Sequence, residues 1–219
     1  SIVLRISSIR LIISLAAGFF AAHWFAGLGW SVAGVYSAIV LATGPTVVTP
    51  LVRQIRLASP LSDVLEAEGL ILEPIGAVLA LLLLELVVGD LHGWRELLLG
   101  LLSRLGGGVL IGSLAGLLLS EGLKRLRSEP YIGIRLQLTL GVVFLLYGVC
   151  EWLLPESGLP ASVAAGFVVG QRPSTQANEL DKLIRELAQL AITMLFPLLA
   201  ANVSWGELSP LGWGGITCV

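Results

Sequence analysis

Long apolar runs, separated by short polar punctuation, make up most of this chain. They fall at Ser8–Phe25, Ser31–Val52, Leu61–Val88, Glu96–Leu123, Ile132–Leu154, Ala161–Val169 and Glu179–Ala200. About twenty apolar residues at about 1.5 Å rise cross the hydrocarbon of a bilayer, and six of these runs approach or exceed that length. The sixth in order, Ala161–Val169, is short and needs flanking residues to complete a crossing. Backbone in lipid must satisfy its own hydrogen bonds, so runs of this kind are helices. The pattern predicts an all-α, multi-pass membrane protein. Ser59-Pro60-Leu61-Ser62-Asp63 reads as the capped start of the third helix. Gly93-Trp94-Arg95-Glu96 opens a stretch long enough to lie partly in the interface before Gly106-Gly107-Gly108 enters the membrane. Those glycines predict close helix packing rather than a phosphate loop, since no strand precedes them and no Lys-Ser/Thr follows.

Composition agrees with the pattern. The chain of 219 residues is 56% hydrophobic and only 13% charged, against about 25% charged in soluble domains. Mean hydropathy is +0.92. A net charge of −2, with no basic block, gives no expectation of a nucleic-acid partner. Cys150 and Cys218 are far apart and predict apolar fillers, not a disulfide framework or a metal site. His23 and His92, both at helix boundaries, read as anchors. The run from Leu11 to Phe25 is not followed by a cleavage site and a soluble domain, so it does not read as a signal peptide. The first residue is Ser1, and a new apolar segment starts at Trp213; the expectation is a fragment of a longer protein.

Charge then orients the predicted spans. With connections numbered alternately, Arg5, Arg10, Arg53, Arg56, Lys124, Arg125, Arg127, Arg135, Arg172, Lys182 and Arg185 share one side. Only Arg95 and Arg104 fall on the other, and the richer side is expected to be cytoplasmic. The six tryptophans lie near the opposite ends, as an interfacial belt places them.

Two segments break the apolar pattern in a way that bears on chemistry. The second run carries Thr43-Gly44-Pro45-Thr46 at its centre, and Gly44 with Pro45 predicts a helix break over 43–46. Interrupted backbone at that depth is tolerated where it lines a polar cavity or packs on protein. Its freed carbonyls, with the Thr43 and Thr46 hydroxyls, suit a hard monovalent cation; a plain kink with back-bonded threonines reads equally well. The third run carries Glu68, Glu73 and Glu85. A carboxylate at mid-membrane costs about 2.5–3.5 kcal/mol on insertion scales and marks an ion, a proton path or a partner. Pro74 directly follows Glu73 and removes a backbone donor, which predicts a local break there too. Glu68 and Glu73 are five residues apart, about 140° around a helix, so different roles are expected. Glu68 reads as a fixed charge paired with a basic residue elsewhere, and Glu85 as interfacial.

The two segments together resemble the core of the monovalent cation/proton antiporter superfamily, sodium/proton exchanger branch. That branch reads Ala-Thr-Asp-Pro-Val-Ala-Val in a broken helix and Glu-Gly-Glu-Ser-Leu-Leu-Asn-Asp in the next. This chain has Ala42-Thr43-Gly44-Pro45-Thr46-Val47-Val48, then Glu66-Ala67-Glu68-Gly69-Leu70-Ile71-Leu72-Glu73, in the same order. Ala165-Gly166-Phe167-Val168-Val169-Gly170 and Met194-Leu195-Phe196-Pro197-Leu198-Leu199 resemble later family segments.

The resemblance implies an inverted-repeat antiporter fold with discontinuous helices, incomplete in this chain. It implies a first core repeat at 1–90, with a broken helix at 43–46 and a carboxylate helix at 61–88. A linker helix at 91–127 follows, then dimerisation-side helices and the start of a second repeat at 128–200, and a truncated span at 201–219. Glu73 stands where the family's ion- and proton-binding aspartate stands, and Glu68 where a core acid pairs with a downstream arginine. Leu72 replaces the usual asparagine, and Gly44 the usual aspartate. The implied activity is sodium or potassium/proton antiport by alternating access, not enzymatic catalysis. The expected partners are the cation, the proton, the bilayer and a second copy of the protein. No cofactor is implied, and no metal beyond the transported ion. A bacterial-type plasma or internal membrane is the expected location. Two alternatives are an antiporter-like subunit without transport that serves membrane-complex assembly, and a sodium-coupled organic anion transporter of related fold. An intramembrane enzyme is disfavoured, because Asp63, Asp90 and Asp181 lie at or beyond the ends of the runs and both histidines lie at the outer boundary.

Overall fold

The computed structural model describes residues 2–42, 59–91, 93–125, 132–171 and 177–202. These residues form seven helices and no strand: α1 (Ile2–Trp24), α2 (Trp30–Leu41), α3 (Ser59–Val88), α4 (Trp94–Arg125), α5 (Ile132–Leu153), α6 (Gly158–Gly170) and α7 (Ala177–Asn202). Four stretches are long and apolar enough to cross a membrane: Val64–Val88, Trp94–Arg125, Gly133–Leu153 and Ile184–Asn202. The chain is an all-α polytopic membrane protein. Of the shorter apolar helices, Gly158–Gly170 in α6 extends the short run predicted at Ala161–Val169, whereas Trp30–Leu41 in α2 stops well before the end of the predicted run Ser31–Val52. In α2 the cause is local, because the helix ends at Leu41 and Ala42 leaves helical geometry at ψ 51°. The four described tryptophans, Trp24, Trp30, Trp94 and Trp152, are all exposed and lie at or next to helix ends.

Compact packing divides the described residues into two units that meet in sequence between Ser103 and Arg104. In the first unit α1 packs on α2, and α2 on α3, with α1 also touching α3. Small side chains make these approaches close: Ala22, Ala33, Ser37 and Ala38 are buried, and a Cβ at Gly18 would sit 3.2 Å from the Ser37 Cβ. In a bilayer, where lipid tails are as apolar as leucine, close van der Waals contact of this kind is what holds helices together. The α1–α2 turn uses Gly27 at φ +66°. His23 anchors it, with Nδ1 2.8 Å from the Leu28 carbonyl oxygen and its ring stacked 3.6 Å from that of Trp30.

In the second unit the glycines of α4 lie along one helix face at Gly108, Gly112 and Gly116. A Cβ on Gly108 would approach the Ser157 carbonyl oxygen to 2.7 Å, and one on Gly116 the Ala165 carbonyl oxygen to 2.7 Å. A Cβ on Gly112 would collide with the Ala161 carbonyl itself. The predicted close packing is therefore present, on Gly107 and Gly108 and continuing beyond them, whereas Gly106 faces open space. The α5–α6 turn is fixed by Glu151, whose carboxylate accepts the N–H of Glu156 at 2.9 Å and of Gly158 at 3.1 Å. Ser157 Oγ donates to the Cys150 carbonyl at 3.0 Å. Cys150 is fully buried beside Leu146, Ala161 and Ala165, a filler as its setting predicts; Cys218 lies outside the described residues.

Backbone cannot step aside as a flexible side chain can, and overpacking of this sort costs about 1–3 kcal/mol or more. Gly112→Leu is expected to lie at or above the top of that range. Thermal unfolding in detergent should drop sharply for Gly112→Leu and stay near wild type for Gly106→Ala. Equal melting of the two variants would show that the glycine face does not hold this unit.

Candidate ion-binding site

Helix α3 carries the acidic residues, and its apolar surroundings follow from its sequence. Gly69, Leu72, Pro74, Gly76, Val78 and Leu82 are buried, and Leu72, which stands where the family resemblance leads one to expect asparagine, is only 1% exposed. The helix runs unbroken from Ser59 to Val88 with Pro74 inside it. This corrects the break expected at Pro74. A proline withdraws only its own N–H, leaving the Leu70 carbonyl without its usual donor, and the packed neighbours keep the rest of the helix in register.

Gly76 fixes where α3 meets α2. A Cβ there would lie 2.9 Å from both the Ala42 Cβ and the Ala42 backbone nitrogen. The two backbones touch at the residue that ends α2, since the Ala42 N–H donates to the Ile39 carbonyl at 3.1 Å. Glu73 precedes Gly76 by three residues, one turn away on adjoining helix surface. It is half-buried. The crossing thus sets the Glu73 turn beside the C-terminal end of α2, where helix carbonyls lack intrahelical donors and carry partial negative charge. A carboxylate next to such carbonyls is chemistry for a monovalent cation or for a proton. Thr43, Gly44, Pro45 and Thr46 lie outside the described residues.

Glu68 sits in a different environment. It is 3% exposed, and its Oε2 is 3.0 Å from Nη1 of Arg10 on α1. The expectation of a basic partner elsewhere is met from upstream, whereas the family resemblance points to a downstream arginine. The other oxygen, Oε1, is buried without a hydrogen-bond partner among the described residues. Glu68 and Glu73 are thus separated in setting, one ion-paired across to α1 and the other at the α2 crossing. In the sequence alone Arg10 is one of the basic residues that share a membrane face. The available signal was its place next to Leu11-Ile12-Ile13, where a lone charge needs a partner. Gly76 carries a signal of the same kind, since an isolated glycine in a long helix marks a close approach. Among the described residues no group of three or more His, Cys, Asp or Glu could hold a metal ion.

A branched side chain at Gly76 would push α3 off Ala42 and shift the Glu73 turn with it. Gly76→Val is expected to cost about 1–3 kcal/mol in the packing of α3 on α2, read as a lower midpoint of thermal unfolding in detergent. An unchanged midpoint would show that this close approach does not hold the two helices together.

With this geometry described, comparison with known proteins places the chain. The family profile "Sodium/hydrogen exchanger, transmembrane" matches residues 1–219. The chain belongs to that family. It is also 25% identical over 182 residues to the "Probable Na(+)/H(+) antiporter 2" of Methanocaldococcus jannaschii, a match covering 78% of this chain and 42% of that protein. The chain therefore spans about two-fifths of the length of that relative. No solved structure matches it.

Proposed function

We propose that the protein containing this chain exchanges a monovalent cation, sodium or potassium, for protons across a membrane by alternating access, with Glu73 taking either the proton or the cation. Membership of the sodium/hydrogen exchanger family supports exchange in general, and the relative's name speaks of sodium and protons. The observation that carries the residue assignment is the Gly76–Ala42 contact, which seats the Glu73 turn at a helix end within a span long and apolar enough to cross a membrane. A carboxylate held there binds one positive charge at a time, and competition between the two charges is what couples their movements. Thr43 and Thr46 are proposed to add hydroxyl ligands, Gly44 and Pro45 to open the helix between them, and Glu68 to serve as a fixed core charge.

The same reading assigns residues 1–90 to a first core repeat, 91–127 to a linker helix, 128–200 to dimerisation-side helices and the start of a second repeat, and 201–219 to a further span. It expects a homodimer in a bacterial-type membrane with the basic connections on the cytoplasmic side. The test is to reconstitute the complete protein in vesicles, impose a proton gradient, and follow its collapse on adding sodium and then potassium. Cation-dependent collapse supports antiport, and the stronger response identifies the ion. A folded protein that dissipates the gradient with neither ion would favour a role in membrane-complex assembly.

A further inference from the structure

The α5–α6 turn gathers ionisable groups that the proposed exchange does not use. Gly107 and Gly108 of α4 set its position. A Cβ on Gly107 would meet the Leu154 side chain at 3.1 Å, and one on Gly108 the Ser157 carbonyl oxygen at 2.7 Å. The turn therefore rests on α4 at these two residues. Arg104 precedes Gly108 by four residues, one turn away on the same helix face, which puts its side chain beside the turn. From α5, Glu151 reaches over, and its two carboxylate oxygens accept the N–H groups of Glu156 and Gly158. Gly158 leaves room for that carboxylate, since a Cβ there would lie 2.8 Å from Glu151 Oε1 and 2.7 Å from the Tyr147 ring. Glu156 sits at φ +63°, a left-handed conformation uncommon for a residue with a side chain, and it is half-buried.

Charge does not balance in this cluster. Two carboxylates, Glu151 and Glu156, share one guanidinium, that of Arg104; Tyr147 of α5 faces both carboxylates. Burial, and after it the charge of Glu151, pushes the Glu156 carboxyl above the ordinary glutamate range, while Arg104 draws it partly back. The stability contributed by a protonated Glu156 is therefore fully present at and below the ordinary glutamate range. It is lost as pH rises through the raised value.

We propose that the α5–α6 turn is a proton-operated catch that seats α6 on α4. With Glu156 protonated, Glu151 and Arg104 balance and the strained turn is held closed. With Glu156 ionised, it repels the carboxylate that holds the turn. The seating of Ser157 on Gly108, and of Ala161 on Gly112, loosens with it. The second unit thereby answers to the pH on the side of the membrane where this turn lies, whatever ion the complete protein carries.

The test is hydrogen exchange of the complete protein in phosphatidylcholine nanodiscs, read by mass spectrometry from about pH 5 to about pH 8. Each rate is divided by that of the unstructured peptide at the same pH. Wild type should lose protection over residues 154–161 as pH rises. Glu156→Gln, which cannot ionise, should keep its protection across the range. Arg104→Gln removes the balancing cation and should move the loss to higher pH. If Glu156→Gln does not fold, the direction of the Arg104→Gln shift decides the matter. Protection that is flat in wild type, a loss that persists in Glu156→Gln, or a shift to lower pH in Arg104→Gln would each overturn the proposal. Backbone amides are the readout, so a failure of the antiport reading would leave this result standing.

Discussion

Replacing Glu73 by glutamine is expected to reduce cation-driven proton movement to the level of protein-free vesicles, while the protein stays folded and inserted. The variant keeps the side chain's size and its hydrogen-bonding capacity but cannot carry a negative charge. A carboxylate and a cation about 4 Å apart attract by about 4 kcal/mol at an effective dielectric of about 20, which corresponds to about three orders of magnitude in occupancy. Glu73→Asp provides the informative contrast. It keeps the charge, restores the family's usual residue, and draws the carboxylate back by one methylene, so exchange should persist with an altered apparent affinity for the cation. Gradient collapse measured for all three proteins under sodium and potassium decides the point. Undiminished exchange by Glu73→Gln would mean that the coupling proton rides on another group.

The second large effect is expected at the Arg10–Glu68 pair. Glu68 is buried and Arg10 is 42% exposed in its side chain, so the two substitutions are not equivalent. Arg10→Gln strands a buried carboxylate, and loss of one partner of a buried pair costs about 3–5 kcal/mol. The exposure of Arg10 places the expected cost near the lower end, because water already screens part of the attraction. Arg10→Gln combined with Glu68→Gln removes both charges and should melt at a higher temperature than Arg10→Gln alone. That non-additivity is the signature of direct coupling. Thermal unfolding in detergent, paired with exchange assays, separates a structural role from a transport role. Recovery of stability without recovery of exchange would show that Glu68 acts in transport beyond holding α1 against α3. Strict additivity of the two substitutions would show that the 3.0 Å contact contributes nothing.

These two residues also illustrate what a family pattern transfers and what it does not. The resemblance sets Glu73 at the family's acidic position, but its neighbour at that motif is Leu72, which is packed in the core. The resemblance sets Glu68 at the position of an acid with a downstream arginine, yet the structure pairs it with Arg10 of α1. A motif conveys residue types and order; the partner of a buried charge is set by whichever helix brings an opposite charge within reach.

The amino-acid sequence by itself determined the class of this protein. Runs of about twenty apolar residues leave helices as the only backbone arrangement stable in lipid, and the described residues are helical throughout their long apolar segments. It also singled out Glu73 and Glu68, because a carboxylate inside such a run is too costly to be incidental. Close packing at Gly107 and Gly108 was legible for a similar reason, since three consecutive glycines within a helix carry a penalty that only close contact offsets. The tertiary structure alone decided the rest. It carried α3 straight through Pro74, because one missing donor is a local loss that packing around Leu72, Gly76 and Val78 outweighs. It set Gly76 against Ala42, and Arg10 against Glu68, across 34 and 58 positions of sequence. No periodicity encodes such distances, because helical repeats describe which residues share a face and not which faces meet.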